Sequence, residues 1–466
     1  MKGKIVLLAM LFFLNIAHAT DVIKLPKYFS VKSTFSGNLS DNESFHLIFT
    51  KDTRTKKFVV FPYFYNGIST EKFKQLVSDE PYSLVSFHYD NDIVSVFLSY
   101  KVRNDYFLKK ISLYRLTKEV KQSEPFPHND FLTSIRNKDK SIFIYKSKDR
   151  FLVRQFNKNE PNINSELDIQ KTQNVIEIFF EDNKVVAVKT DEFVSNGPTS
   201  KIKVYYIDGK LVFTKVIRAL NQTEILEVFL GNEKLTTSLR SFSMTTKDYY
   251  KKMASFVVDG TLFQLGVSKD RGSIKIWDYL NKKELNVIPI DGSLNSKIVK
   301  GNDFVDFSKF LKQSARRKHI PTITVNKASD NLFRLRVDYV DVTYSYNYNW
   351  WMFHQKMMMH QQMQMQQAMN SVPRFGPDDP GDITFDTYTI KNDNRFFEIV
   401  LDDKGRIVQE RPQSIYGEIN KKEYIEKLEE LSDIKYESSC FLKIGFRYFG
   451  YSKSSKGFVI YTEKLK

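Results

Sequence analysis

Residues 175–217 read VIEIFFEDNKVVAVKTDEFVSNGPTSKIKVYYIDGKLVFTKVI, and their patterning decides the fold class. Residues 175–180 and 184–188 carry apolar side chains on either side of the polar turn Glu181-Asp182-Asn183, the plainest hairpin pattern in the chain. A second hairpin follows at 201–207 and 211–217 across Asp208-Gly209, a dipeptide suited to a two-residue turn. Four antiparallel strands within some forty residues are expected to make one small sheet.

The same unit recurs outward in both directions, with turns near Asp52, Asn91, Lys138, Asp182, Asn232, Gly260, Asn331 and Lys404. The first five turns fall roughly 40 to 50 residues apart, the period of a propeller blade of four strands. Later intervals are irregular. The expected fold is mostly β, a β-propeller of about six to eight four-stranded antiparallel blades. Composition agrees, with 39 Phe and 25 Tyr against 18 Gly, a loading that favours pleated, half-buried surfaces. An apolar fraction of 41% and a charged fraction of 27% exclude a disordered chain and an integral helical membrane protein. Charges within the strand runs, such as Lys109-Lys110 and Lys201 with Lys203, argue against a lipid-facing barrel.

Residues 266–285 read GVSKDRGSIKIWDYLNKKEL, and Ser273-Ile274-Lys275-Ile276-Trp277-Asp278 resembles the strand that ends a WD40 repeat. The resemblance covers about 20 residues and lacks the Gly-His pair that opens such repeats. What it implies is a ring-shaped interaction scaffold, and no catalytic residue comes with it.

Three helices are expected among the strands. One starts with Asp303 and Asp306, shares a face of Phe304, Phe307, Phe310 and Leu311, and ends on Arg316-Arg317-Lys318 before Pro321. A second is capped by Asn420 and Glu423, with Ile425, Leu428 and Leu431 inward, and a short one spans 71–77. A final hairpin, 441–451 then 457–462, is expected to complete a blade with the N-terminal strand and close the ring.

Lys2 and Lys4 ahead of an apolar run and Ala17-His18-Ala19 have the order of a secretory signal, read here as residues 1–19 with cleavage after Ala19. The organisation expected is this signal, a propeller over 20–418 with a Met/Gln/His-rich insert and loop at 350–381, and an amphipathic helix with a closing hairpin over 419–466. No other run is long enough to span a bilayer. Cys440 is the single cysteine, so burial must stabilise the exported chain without disulfides, which suits a bacterial envelope, periplasmic or secreted. The formal charge of +16 draws the chain to anionic surfaces. In that compartment these are protein, glycan or phospholipid rather than nucleic acid.

Residues 350–369, WWMFHQKMMMHQQMQMQQAM, hold seven of eleven Met and two of three Trp, and have no strand period. A helix is expected there, bounded downstream by Pro373 and the turn-rich stretch after Gly376. Trp350, Trp351, Met352 and Phe353 are the expected partner contact, since Trp suits boundaries with one wet edge. Met359, His360 and Met363 lie close together on a helix and form the alternative, a Cu(I) site of two thioethers and an imidazole.

No nucleophile elbow, zinc-protease, phosphate-loop or dinucleotide motif occurs, and no catalytic residue is assigned. His46, His88, His128 and His319 are read as strand or loop residues, and calcium at the Asp378-Asp379-Asp382 or Asp90-Asn91-Asp92 turns as a minor option. The expected function is a non-enzymatic, exported scaffold that binds an envelope or extracellular partner. A glycan or peptide hydrolase acting at a central channel is the further alternative.

Overall fold

The computed structural model describes residues 22–341 and 396–464, apart from breaks at 91, 138, 148–149, 158–162, 169–175, 177–178, 181–184, 189–199, 232–233, 245–248, 299, 302–305, 329–330, 410–411, 413–426, 428–429, 431–433 and 443–444. The expected signal at 1–19, the insert at 350–381 with every residue assigned to it, and Asn420, Glu423, Ile425, Leu428 and Leu431 lie outside the described residues.

The described residues are mostly β, arranged as seven small sheets of three to five strands. Successive strands are neighbours in most of them, because short turns return the chain antiparallel to itself. Asp208-Gly209 and Asp259-Gly260 both take positive φ, 47° and 79°, then 44° and 77°, which is the two-residue hairpin geometry. They join Lys210–Ile217 to Ile202–Ile207, and Thr261–Val267 to Lys252–Val258.

Strand burial follows position within each sheet. Ser44–Asp52 and Phe58–Tyr65 are buried along nearly their whole length, as central strands covered on both faces must be. The last strands, Leu235–Ser243 and Lys283–Pro289, are largely exposed.

The chain divides into two units. One comprises residues 1–82, 117–119 and 422–466 and holds the first and seventh sheets. The first strand of the first sheet, Phe29–Asn38, packs beside Ile434–Leu442 of the seventh. On the far edge of the seventh sheet, Ile23 and Phe458 exchange two backbone hydrogen bonds of 2.8 Å. The N-terminal segment thereby lies against the last strand, Gly457–Lys464. Phe441, expected to open the final hairpin, belongs instead to the strand before it, and the hairpin is Gly445–Ser452 with Gly457–Lys464.

The other unit holds the remaining five sheets, which meet successively near their first strands. Ser83–Asp90 packs beside Phe131–Asn137, and Lys252–Val258 beside His319–Lys327. The abundant Phe residues fill the spaces between sheets. Phe97, Phe143 and Phe156 form a mutual ring cluster with centroids 4.8–5.3 Å apart between the second and third sheets.

Helix Phe307–Ser314 forms as expected from its cap, with Asp306 Oδ1 accepting from Lys309 N at 2.9 Å. Phe307 and Phe310 meet Phe397, and Leu311 lies over Gly272 so closely that a Cβ there would stand 2.6 Å from Leu311 Cδ2. The helix stops at Ser314, before the basic trio, which is exposed in the following turn.

Two expectations are corrected. Residues 71–77 are not helical: Thr70–Lys72 and Leu76–Ser78 are short strands that both pair with Phe58–Tyr65. The edge of that strand offers free backbone partners, which outweighs weak helix propensity over seven residues. The hairpin expected at 175–188 is not what the described residues of that range form: Ile176 and Phe179 are helical, and Val185–Ala187 pairs in parallel with Ile202–Ile207. Ile176, Phe179 and Phe180 are instead buried in the core with Phe151 and Phe213. Apolar runs this short fit either structure until their packing partners are known.

Candidate functional site

Ser44-Phe45-His46 and Ser86-Phe87-His88 repeat one tripeptide on neighbouring parts of the sequence, and each places its imidazole in the interior. His46 Nδ1 lies 2.9 Å from Ser36 Oγ and Nε2 lies 2.8 Å from Ser44 Oγ. Ser36 Oγ continues to Ser438 Oγ at 2.8 Å, so hydroxyls link the first sheet to the seventh. Burial, and secondarily the Arg447 charge, hold His46 well below the ordinary imidazole range. Arg447 is itself buried, donating to Thr462 Oγ1 at 3.2 Å and to the Asp41 carbonyl at 3.2 Å, with its guanidinium 4.7 Å from the Tyr65 ring centroid.

The second imidazole, in the other unit, is engaged by a serine hydroxyl at one nitrogen only, its Nε2 being buried without a partner among the described residues. His88 Nδ1 is 3.1 Å from Ser141 Oγ, which is 3.1 Å from Ser86 Oγ, joining the second and third sheets. Burial, then the charges of Lys110 and Arg136, push His88 down to about 3. His128 Nδ1 meets Tyr145 OH at 3.0 Å, and burial with the Arg154 charge brings it also to about 3. These groups are neutral at pH 7. Both nitrogens of His46 are engaged by hydroxyls, so no lone pair is directed at solvent for proton abstraction. The sequence reading of these histidines as strand residues overlooked their shared role, although the repeated tripeptide was visible.

Other polar groups also cross between sheets. Lys203, 3% exposed, donates to the Ser255 carbonyl at 2.6 Å, and burial lowers it to about 8. Trp277 of the WD40-like strand donates Nε1–H to Gln264 Oε1 at 2.8 Å. Gln264 in turn donates to Thr223 Oγ1 at 3.0 Å and the Phe242 carbonyl at 2.9 Å on the fourth sheet. Trp277 thus sits in an inter-sheet junction. The most buried carboxylates are clamped by cations: Glu227 by Lys210 at 2.5 Å and Arg240 at 3.3 Å, and Glu398 by Arg334 at 2.9 Å and Arg336 at 3.7 Å. A general acid of the kind expected at a hydrolytic channel needs a carboxyl free to hold and release a proton. Both of these are instead engaged in ion pairs with neighbouring cations. Among the described residues no group of three or more His, Cys, Asp or Glu side chains is placed to hold a metal ion.

The insert lies between two strands that are direct neighbours. Phe333–Asp341 pairs antiparallel with Phe397–Leu401, so residues 342–395 join adjacent strands of the sixth sheet. At the outgoing end, Asp341 pairs in register with His319, next in sequence to Arg316-Arg317-Lys318. No helix among the described residues is long and apolar enough to cross a membrane.

No family model and no curated protein matches the chain. Solved structures to which the chain is similar include WD40 and β-propeller domains. They include the WD40 domain of SCAP from fission yeast, at 10% identity and a TM-score of 0.28 over 70% of this chain and 85% of that one. The β-propeller domain of the Trilobed protease from Pyrococcus furiosus covers 95% of this chain and 97% of its own at 8% identity and a TM-score of 0.33. The Dos1 propeller, at 13% identity, has a TM-score of 0.29 over 69% of this chain and 71% of that one.

Proposed function

We propose that the chain is a non-enzymatic β-propeller of six to eight blades, exported to a bacterial envelope, that binds a protein or anionic surface there. The observation that carries this reading is how polar groups are divided. Interior imidazoles, hydroxyls, Lys203 and Gln264 are engaged between sheets, while Arg316, Arg317, Leu116 and Tyr249 stand exposed on turns and loops. A scaffold needs an interior that fixes geometry and a surface that carries recognition.

Trp350, Trp351, Met352 and Phe353 are proposed as part of the contact, because the chain leading to them leaves the sixth sheet beside the exposed basic trio. The test is deletion of 350–369 in the full chain. The expected product keeps its thermal unfolding midpoint and loses the partner captured by cross-linking in intact cells. A product that fails to fold, or one that captures the same partner equally well, would overturn the reading.

A further inference from the structure

Four loops of the larger unit converge at one rim. The single-turn helix Arg218–Leu220 ends at Asn221, whose carbonyl accepts from Met244 N at 2.9 Å and whose Oδ1 accepts from Tyr250 N at 3.4 Å. Lys251 N donates to Ser268 Oγ at 3.1 Å, and Arg271 donates to the Tyr249 carbonyl at 3.4 Å. The Lys252 ammonium donates to the carbonyls of Arg316 and His319. These side-chain-to-backbone bonds bring 218–221, 249–252, 268–271 and 316–319 together.

The rim is cationic. Arg218, Lys251, Arg316, Arg317 and Lys318 are all exposed. Burial, and secondarily the charges of Arg218 and Lys251, lower Lys252 to about 8. Among the described residues no carboxylate is ion-paired with Arg218, Lys251, Arg316 or Arg317; Asp270 is the acid on these loops. Like charges gathered from separate loops repel, and an external anion relieves that repulsion.

Leu220 and Tyr249 stand among these cations, 58% and 66% exposed. An extended acidic segment would be held by a groove and directional pairing, whereas cations mixed with projecting Leu and Tyr tips match a headgroup layer over hydrocarbon. We infer that this rim docks the larger unit onto an anionic phospholipid surface, with Arg218, Lys251, Arg316 and Arg317 meeting headgroups and Leu220 and Tyr249 entering the interface.

The inference rests on the scaffold reading and gives it a surface. Its test uses the full chain sedimented with vesicles of phosphatidylcholine containing about a third phosphatidylglycerol, against phosphatidylcholine alone. Binding is expected only with the anionic lipid and weakens with salt. Arg316→Gln with Arg317→Gln should lower partitioning about 30-fold, at about five-fold per basic residue near such a surface. Lys282→Gln with Lys283→Gln removes equal charge from the opposite end of the fifth sheet's third strand and should leave binding unchanged. Leu220→Ser with Tyr249→Ser should retain low-salt binding and lose it at high salt.

Equal losses in the two charge pairs would reduce the effect to net charge and overturn the rim. Binding to a soluble polyanion such as heparin without binding to vesicles would also overturn it, by making the partner an acidic polymer. A negative vesicle result beside intact partner loss on deleting 350–369 would refute the lipid surface alone. The reverse pattern would refute the role of that segment alone.

Discussion

Acid should destabilise this protein well before its carboxylates titrate, and the histidines set the amount. His88 is 1% exposed and His128 is 2% exposed, and both are held near 3 by burial and neighbouring cations, against about 6.5 in an unfolded chain. Between those values the unfolded state binds a proton that the folded state does not. Stability is therefore full above pH 6.5 and falls as pH drops towards 3. Each histidine contributes about 1.4 kcal/mol per pH unit in that window, so lowering pH from 7.5 to 5 costs about 2 kcal/mol for each and about 4 kcal/mol for the pair. His46 adds in the same direction. Against a total of about 5–15 kcal/mol that is a large fraction. Urea unfolding at pH 7.5, 6 and 5 for the wild type and His88→Gln measures it. The variant starts less stable, because Ser141 loses its imidazole partner, but its acid loss should be about 2 kcal/mol smaller. A wild-type stability that is flat from pH 7.5 to 5, or an identical pH slope in both proteins, would refute the reasoning.

Two further substitutions probe the junctions. Glu227→Gln leaves Lys210 and Arg240 facing a neutral group in a buried setting and should cost about 3–5 kcal/mol in chemical denaturation; a loss below about 1 kcal/mol would mean the clamp is screened by water. Gln264→Leu keeps the volume but strands Trp277 Nε1–H and the Phe242 carbonyl, and should cost about 2 kcal/mol with a shifted tryptophan emission. Unchanged emission and stability would show that Trp277 does not depend on this bond.

The candidate site was less legible than the strands. That His46 and His88 would be interior was obscured because Ser36 and Ser438 lie 402 residues apart, and Ser86 and Ser141 lie 55 apart. A single sequence has no periodic signal for hydrogen bonds between sheets. The rim is hidden for the same reason: Arg218, Lys251 and Arg316 look like scattered cations until the loops are brought together. Arg316-Arg317-Lys318 was visible as a patch, yet its place in a turn beyond Ser314 rather than in the helix came only from the structure.

Local chemistry by itself determined the mostly-β class, the hairpins at Asp208-Gly209 and Asp259-Gly260, and the Asp306 cap, because alternation, positive φ and an unsatisfied N–H are properties of adjacent residues. Tertiary structure decided where short apolar runs go. Ile176 and Phe179 became helical, and Val185–Ala187 became a parallel edge, since each fills whichever apolar space or strand edge its neighbours leave open. It also decided that the histidines would be neutral and enclosed, which depends on sheets packing face to face and excluding the water that would otherwise solvate an imidazolium.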